Sequence, residues 1–423
     1  METLAEKYAG MKNILVVGHG GSITSFYGFY GALSSRATKR AYFLSTTDPD
    51  YIASLKNILD PKDTLVVSIS KSGENTTQIE ALLQFTNYPM LFVTGPGSPV
   101  AEIGKTLGAE VVNHPSIGGR YTGFTEVGLL PALLCGLDAK KLWAGGQDVL
   151  KHYAQANEAW DAASVLWHLE QSGYVDVFMP FYSHELFNFG NVIVQLCHES
   201  FGKEGRGQTY TASEAPESQH HTNQRFFGGP KNIAGFFISQ DHYDHDLATK
   251  VPDSLKDISI KQHRLEALDA IPLEHSMKSE REGTMEDARA NKIPMAHLSI
   301  ERCDENELGK FLAFWQLYAV YASLLRSVDP FDQPQVEEAK RVSFEKRKSE
   351  GARRGVRMLS GRTFPDRARD FHSKGQETPG LADRRRAQNA GPDEGRNLHR
   401  ARRRRIDDDK MIFRAGSPKL TSD

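Results

Sequence analysis

Glu199 stands one helical turn after Gln195 in QLCHESFGK, among Leu196 and Cys197 and just ahead of a Gly- and Lys-rich loop. A glutamate so placed is partly shielded from water, and partial burial tunes a carboxylate as a base. A helix-end carboxylate that only caps or solvates is the plain alternative. Arg120 follows two glycines in Ser116-Ile117-Gly118-Gly119-Arg120-Tyr121-Thr122. Glycines let the backbone come close to a ligand while the guanidinium reaches it; otherwise this is a Gly turn with a surface arginine. His220, beside His221 in the polar loop Glu214–Pro230, is an acid/base candidate. Adjacent histidines do not easily face one site, so one of the two belongs to solvent. The stretch SKSGENTT holds Ser70, Lys71, Ser72, Gly73, Asn75, Thr76 and Thr77. A hydroxyl-rich turn ahead of a helix offers backbone N–H groups, hydroxyls and a positive charge to an anion, most simply a phosphate. An ordinary capped turn uses the same residue types.

The surrounding pattern supplies the elements that must hold these groups. Asn13–Val17 reads as a buried strand entering Gly18-His19-Gly20-Gly21-Ser22, with a helix-compatible segment through Leu33. Ile23 stands where a dinucleotide fingerprint needs a small residue, so NAD is discounted. Strands at Ala41–Leu44, at the apolar run from Leu65, at Met90–Thr94 and at Glu110–Val112 alternate with helical segments. That alternation predicts a parallel sheet covered on both faces, with ligands at the strand C-terminal ends. Ala144–Leu169 has helical periodicity and joins this unit to a second α/β unit. The second unit has strands at Val175–Pro180, Ala234–Ile238 and Met295–Ile300 and helices near Ser276–Ala290 and Glu305–Leu325. Phe311, Phe314, Trp315, Tyr318 and Leu325 recur at helical spacing and read as core. Pro330-Phe331-Asp332-Gln333-Pro334 breaks the chain, and a helix carrying Lys340 resumes from Val336 to Lys348.

At 423 residues, 39% hydrophobic and 25% charged, two domains with extras are expected. The apolar runs fall short of a bilayer span and Met1 opens no leader pattern, so a soluble, cytoplasmic protein with no membrane partner is expected. Cys135, Cys197 and Cys303 lie far apart without CxxC spacing, which argues against a disulfide framework or zinc site. DHYDHD (Asp241–Asp246) reads as a surface loop rather than a metal site. The formal net charge of −2 conceals an asymmetry. From Arg341 onward Lys and Arg outnumber Asp and Glu 23 to 12, against 29 to 42 before it. The Arg-rich stretch from Ala352 lacks apolar periodicity and is expected to be disordered. It is either a nonspecific binder of nucleic acid or polyphosphate, or an unselected C-terminus.

Five blocks together resemble glucose-6-phosphate isomerases of the compact bacterial type, built from two sugar-isomerase (SIS) domains. They are GHGGS at Gly18–Ser22, SKSGENTT at Ser70–Thr77, IGGRYT at Ile117–Thr122, ESFGK at Glu199–Lys203 with SQH at Ser218–His220, and PFDQPQVEEAK at Pro330–Lys340. The resemblance covers about Asn13 to Lys348. It implies an α/β fold of two doubly wound parallel-sheet domains: a phosphate-binding domain over 1–145, a linking helix over 146–172, a second domain over 173–330, a catalytic segment over 331–348 and the tail over 349–423. It also implies that Gly21, Ser22, Ser70, Lys71, Ser72 and Thr76 hold a sugar phosphate while Gln195 and Gln333 orient it. His220 and Lys340 would open the ring, Glu199 would shuttle a proton between C2 and C1, and Arg120 would stabilise the enediolate. No metal or other cofactor is implied, and a homodimer is, with the histidine crossing from the partner. A dual phosphoglucose/phosphomannose isomerase and a noncatalytic SIS sugar-phosphate sensor are the alternatives. A sensor would need the phosphate loops but not all four of Glu199, Arg120, His220 and Lys340.

Overall fold

The computed structural model describes residues 1–359 and 412–414. The first unit comprises residues 1–334 with the strand at 412–414. Helix α1 (Glu2–Lys7) precedes β1 (Asn13–Val17), α2 (Thr24–Leu33), β2 (Arg40–Leu44), α3 (Pro49–Ile58), β3 (Thr64–Ser70), α4 (Thr76–Leu82), β4 (Met90–Thr94), α5 (Pro99–Thr106) and β5 (Glu110–Asn113). The five strands form a parallel sheet of order β2-β1-β3-β4-β5. β3 and β4 are buried along their whole length, as continuous apolar runs require when helices cover both faces. Local signals fix the helix starts. Asp48 caps α3 by accepting from the Asp50 and Tyr51 amides, and Ser98 caps α5, each ahead of a proline.

Helices α6 (Glu126–Leu134), α7 (Ala139–His152) and α8 (Glu158–Gln171) lead to β6 (Asp176–Tyr182), α9 (His184–Phe187), α10 (Gly190–Phe201), β7 (Thr209–Glu214), α11 (Thr222–Gly228) and β8 (Ile233–Gln240). An exposed hairpin of β9 (Ser259–Ile260) and β10 (His263–Arg264) follows, then α12 (Leu273–Ala290), β11 (Met295–Ile300) and α13 (Glu305–Leu325). Ala144–Leu169, expected as one helical stretch, is parts of α7 and α8 with a break at 153–157. The second sheet has the order β12-β11-β8-β6-β7, again parallel, with β12 (Ile412–Arg414) beside His297–Ser299 of β11. The two doubly wound sheets expected from the sequence are therefore present. The remainder of the expected disordered tail, 360–411 and 415–423, lies outside the described residues.

α13 runs through the main core, where Phe311, Phe314, Trp315 and Tyr318 are fully buried, and α7 and α8 pack against it. By length and composition it alone among the described residues is apolar enough to cross a membrane, yet more than half of it is buried in protein. The second unit begins at Gln335 and contains α14 (Glu337–Leu359), a polar helix with i,i+3 pairs such as Lys340–Glu337 and Arg341–Glu338.

Candidate active site

The strand order of the first sheet reverses between β1 and β3, so the loops after these strands flank one crevice. After β3, Gly73 turns at φ 64°, and a Cβ there would meet Ser98 Oγ at 2.7 Å. Ser70 Oγ accepts from the Gly73 amide at 3.1 Å and Ser72 Oγ from the Glu74 amide at 3.3 Å. Lys71 and Ser72 are exposed at the loop tip. Asn75 Oδ1 caps α4 through the Gln78 amide at 3.2 Å, which leaves Thr76 as the first helical residue, half-buried. α4 spans only seven residues, so local hydroxyls, N–H groups and Lys71, rather than a long helix dipole, give this loop its anion-binding character.

A residue that sequence reasoning passed over holds the loop in place. Buried Gln78 donates Nε2 to Val17 O at 3.1 Å, Ser68 Oγ at 3.2 Å and Ile69 O at 2.9 Å, which ties α4 to the ends of β1 and β3. Its spacing with Ala81 and Leu82 on the buried helix face is the signal that could have found it. Behind the loop, His114 is buried and donates Nδ1–H to Pro115 O at 2.8 Å. Burial lowers its pKa; the hydrogen bond opposes that shift and the charge of Lys71 adds to it.

After β1, the turn Gly20–Ser22 packs against Gly119–Tyr121, main chain on main chain. A Cβ on Gly21 would lie 2.1 Å from the Gly119 carbonyl carbon and 2.3 Å from the Arg120 nitrogen. Only glycine fits there, and the approach sets Arg120 beside the crevice. Thr122 Oγ1 donates to Gly119 O at 2.6 Å and steadies the same turn.

Arg120 is 2% exposed and every nitrogen of its guanidinium is used. Nε donates to Ser200 Oγ at 2.8 Å, and Nη1 donates to Gln333 Oε1 at 2.7 Å and Glu199 Oε2 at 3.3 Å. Nη2 donates to Pro330 O and, at 3.1 Å, to Asp332 O. Glu199 Oε1 accepts from Gln195 Nε2 at 3.0 Å, and Gln195 Oε1 accepts from Thr24 Oγ1 at 2.9 Å. Gln195 and Glu199 stand at i,i+4 on α10, so both reach the same side of the helix. The Glu199 side chain retains 31% exposure. The result is a half-open carboxylate with one oxygen on an amide and the other on a buried cation, and such a group can take a carbon-bound proton and return it. A buried cation alongside can face an oxyanion.

The structure thus brings together Gly21, Ser22, Arg120, Gln195, Glu199 and Gln333. Thr24, Ser200 and Tyr121, whose hydroxyl meets Ser200 Oγ at 2.8 Å, join them without having been singled out beforehand. Ser200 stood next to Glu199 in its block, which was the available signal. His220 is exposed at the end of a 3-10 turn, Glu217–His220, and no hydrogen bond joins it to Arg120, Glu199, Gln195 or Gln333 among the described residues. Lys340 lies in the second unit, exposed on α14, with Nζ 2.8 Å from Glu337 Oε1.

In the second sheet the strand order reverses between β6 and β8. Near that edge lies a cavity of about 290 Å³ lined by Glu185, Asp244, Glu274, His242, His245 and Cys303 among others. DHYDHD contributes to its wall as a largely exposed loop. Among the described residues no three His, Cys, Asp or Glu side chains are grouped to hold a metal.

Two doubly wound sheets, with a hydroxyl-rich loop at one crevice, define the double sugar-isomerase class of fold. Within it the chain belongs to the phosphoglucose isomerase family, whose profile matches residues 4–356. Similar proteins include the glucose-6-phosphate isomerase of Streptococcus mutans, 28% identical with 80% of this chain and 81% of that one covered. That of Methanocaldococcus jannaschii is 26% identical, covering 79% and 84%. Among solved structures, a hypothetical protein from Thermus thermophilus superposes with a TM-score of 0.75 at 24% identity, over 81% of this chain and 86% of that one. A glucose-6-phosphate isomerase from Chlamydia trachomatis gives 0.69 at 20% identity, over 85% and 75%.

Proposed function

We propose that this protein is an aldose–ketose isomerase that interconverts glucose 6-phosphate and fructose 6-phosphate through a cis-enediol, in glycolysis and gluconeogenesis. The observation that carries the reading is buried Arg120 bridging Glu199 and Gln333, with Gln195 on the other carboxylate oxygen. Ser22, Ser70, Lys71, Ser72 and Thr76 hold the phosphate, and binding energy from that remote group positions the reacting carbons. His220 and Lys340 open the pyranose by proton transfer. Glu199 then removes the proton from C2 of the aldose; the C–H electron pair becomes the C1–C2 double bond and the carbonyl oxygen takes the negative charge facing Arg120. O1 takes up a proton to complete the cis-enediol, the C2 hydroxyl gives one up, and return of the proton from Glu199 to C1 as the C2–O bond becomes the carbonyl gives the ketose. Exposure of His220 supports a homodimer in which this histidine serves the partner's site, and a cytoplasmic location suits the substrate.

The test is a coupled assay of fructose 6-phosphate conversion by the full chain. Turnover in the ordinary enzyme range, about 1–10³ s⁻¹, is expected. Binding without turnover would replace this reading with a sugar-phosphate sensor, and turnover of mannose 6-phosphate as well would widen it to a dual isomerase.

A further inference from the structure

Lys203 lies just beyond the end of α10, four residues after Glu199, and is 7% exposed. Burying a lysine is costly unless its donors are satisfied. Here Nζ donates to Asp329 O, to Asp332 O at 2.8 Å and to the Asp332 carboxylate. An ammonium has three N–H donors, so its capacity is filled by one short loop. Arg120 grips the same loop at Pro330 O and Asp332 O. The Asp332 carbonyl therefore receives both cations, and the segment 329–333 is held between a residue from the first sheet's side and one from the end of α10.

We propose that Lys203 is a positioning residue that fixes the loop 329–333 and, through it, the orientation of Arg120 and Gln333 against Glu199. The guanidinium is a rigid planar fork. With Nη2 seated on the loop carbonyls and Nε on Ser200 Oγ, the plane of the fork is set, and so is the direction in which Nη1 meets Glu199 and Gln333. A loop that moves takes the fork with it. Lys203 also pairs with the Asp332 carboxylate, so the loop's own charge is balanced by the same ammonium that holds its carbonyls. Phe331 packs edge-on against Tyr121 at 5.3 Å between ring centres, a contact too apolar to replace the lost charge. Lys203 touches neither Glu199 nor Gln195 by hydrogen bond, so its influence passes through the loop.

The isomerase arm of the test rests on the function proposed above; the exchange arm does not. K203M in the full chain is compared with wild type by amide exchange read by mass spectrometry and by fructose 6-phosphate turnover. The expected result is exchange of 329–333 accelerated about tenfold or more while peptides of β1, β3 and β6 stay protected. In turnover, kcat falls about 100-fold with KM within about threefold, because a small displacement of an oriented group costs rate rather than affinity. Unchanged exchange of 329–333, exchange raised equally throughout the sheets, or a kcat within about threefold of wild type overturns the proposal. If K203M does not fold, K203Q, which keeps an N–H donor, is read in the same two ways. If wild type itself shows no turnover, the isomerase reading falls and the exchange result alone decides the clamp.

Discussion

At the crevice of the first sheet the polar groups are short: hydroxyls of Ser70 and Ser72, turn amides, and one exposed lysine, Lys71. Around α10 of the second sheet they are long side chains: Gln195, Glu199, Arg120 and Gln333 are locked to one another, and Lys203 holds the loop beside them. The crevice at the second sheet's own reversal point is different again, bordered by Glu185, Asp244 and Glu274. Two sheets of one topology therefore carry different polar groups at corresponding edges, the second a mixed set in which His242 and His245 share the wall, Asp244 pairs with Arg36 and Glu274 with Lys278. Topology places a crevice; the side chains decide whether an anion belongs there, and the reacting groups are placed by a helix beside the crevice.

If the first region holds and the second reacts, changes in the two should separate in kinetics. Glu199→Gln should lower kcat by about 10²–10⁴-fold with little change in KM, since the amide keeps the shape but not the base. Equal loss of affinity would place Glu199 among the holding groups. Gly21→Ala attacks the join between the regions. A methyl 2.1 Å from Gly119 must push the two turns apart, and kcat/KM should fall by about 100-fold with a lowered melting temperature. Ser70→Ala should raise KM for fructose 6-phosphate about tenfold while kcat stays within a few-fold, which titration of initial rates would show. A fall in kcat alone would contradict the division.

The smallest effect is on stability against pH. His19 and His114 near the first crevice and His198 on α10 are all pushed below the ordinary imidazole range by burial. His198 Nε2 accepts from the Tyr210 amide at 2.8 Å, which requires the bare nitrogen. With folded pKa values below the unfolded one, the unfolded chain binds more protons in the interval. The stabilisation is thus whole above about pH 6.5 and is lost as pH falls through the folded values. Thermal midpoints measured from pH 8 down to 5 should decline, most steeply below about 6.5.

Much of this was legible in the residues. The runs at Asn13, Leu65 and Met90 announced buried parallel strands, and the blocks around Arg120, Glu199 and Gln333 announced groups that do meet. β7 was not foreseen, because an edge strand in which Tyr210 alone is fully buried, Thr-Tyr-Thr-Ala-Ser-Glu, carries no apolar run. β12 was hidden in Arg-rich sequence, since a three-residue strand is specified by its neighbour rather than by itself. Lys203 was visible within its block but not its task, because its three acceptors lie 126 and 129 positions away along the chain. Gln78 was hidden for a similar reason: a glutamine on a buried helix face announces polarity but not which carbonyls it will find.

The contact of Gly21 with Gly119 has a thermodynamic consequence. Both partners are main chain, so no rotamers remain to be frozen at that wall when a ligand arrives. The ordering entropy there is already included in the free energy of folding, and association can draw on the phosphate contacts without first settling the place of Arg120.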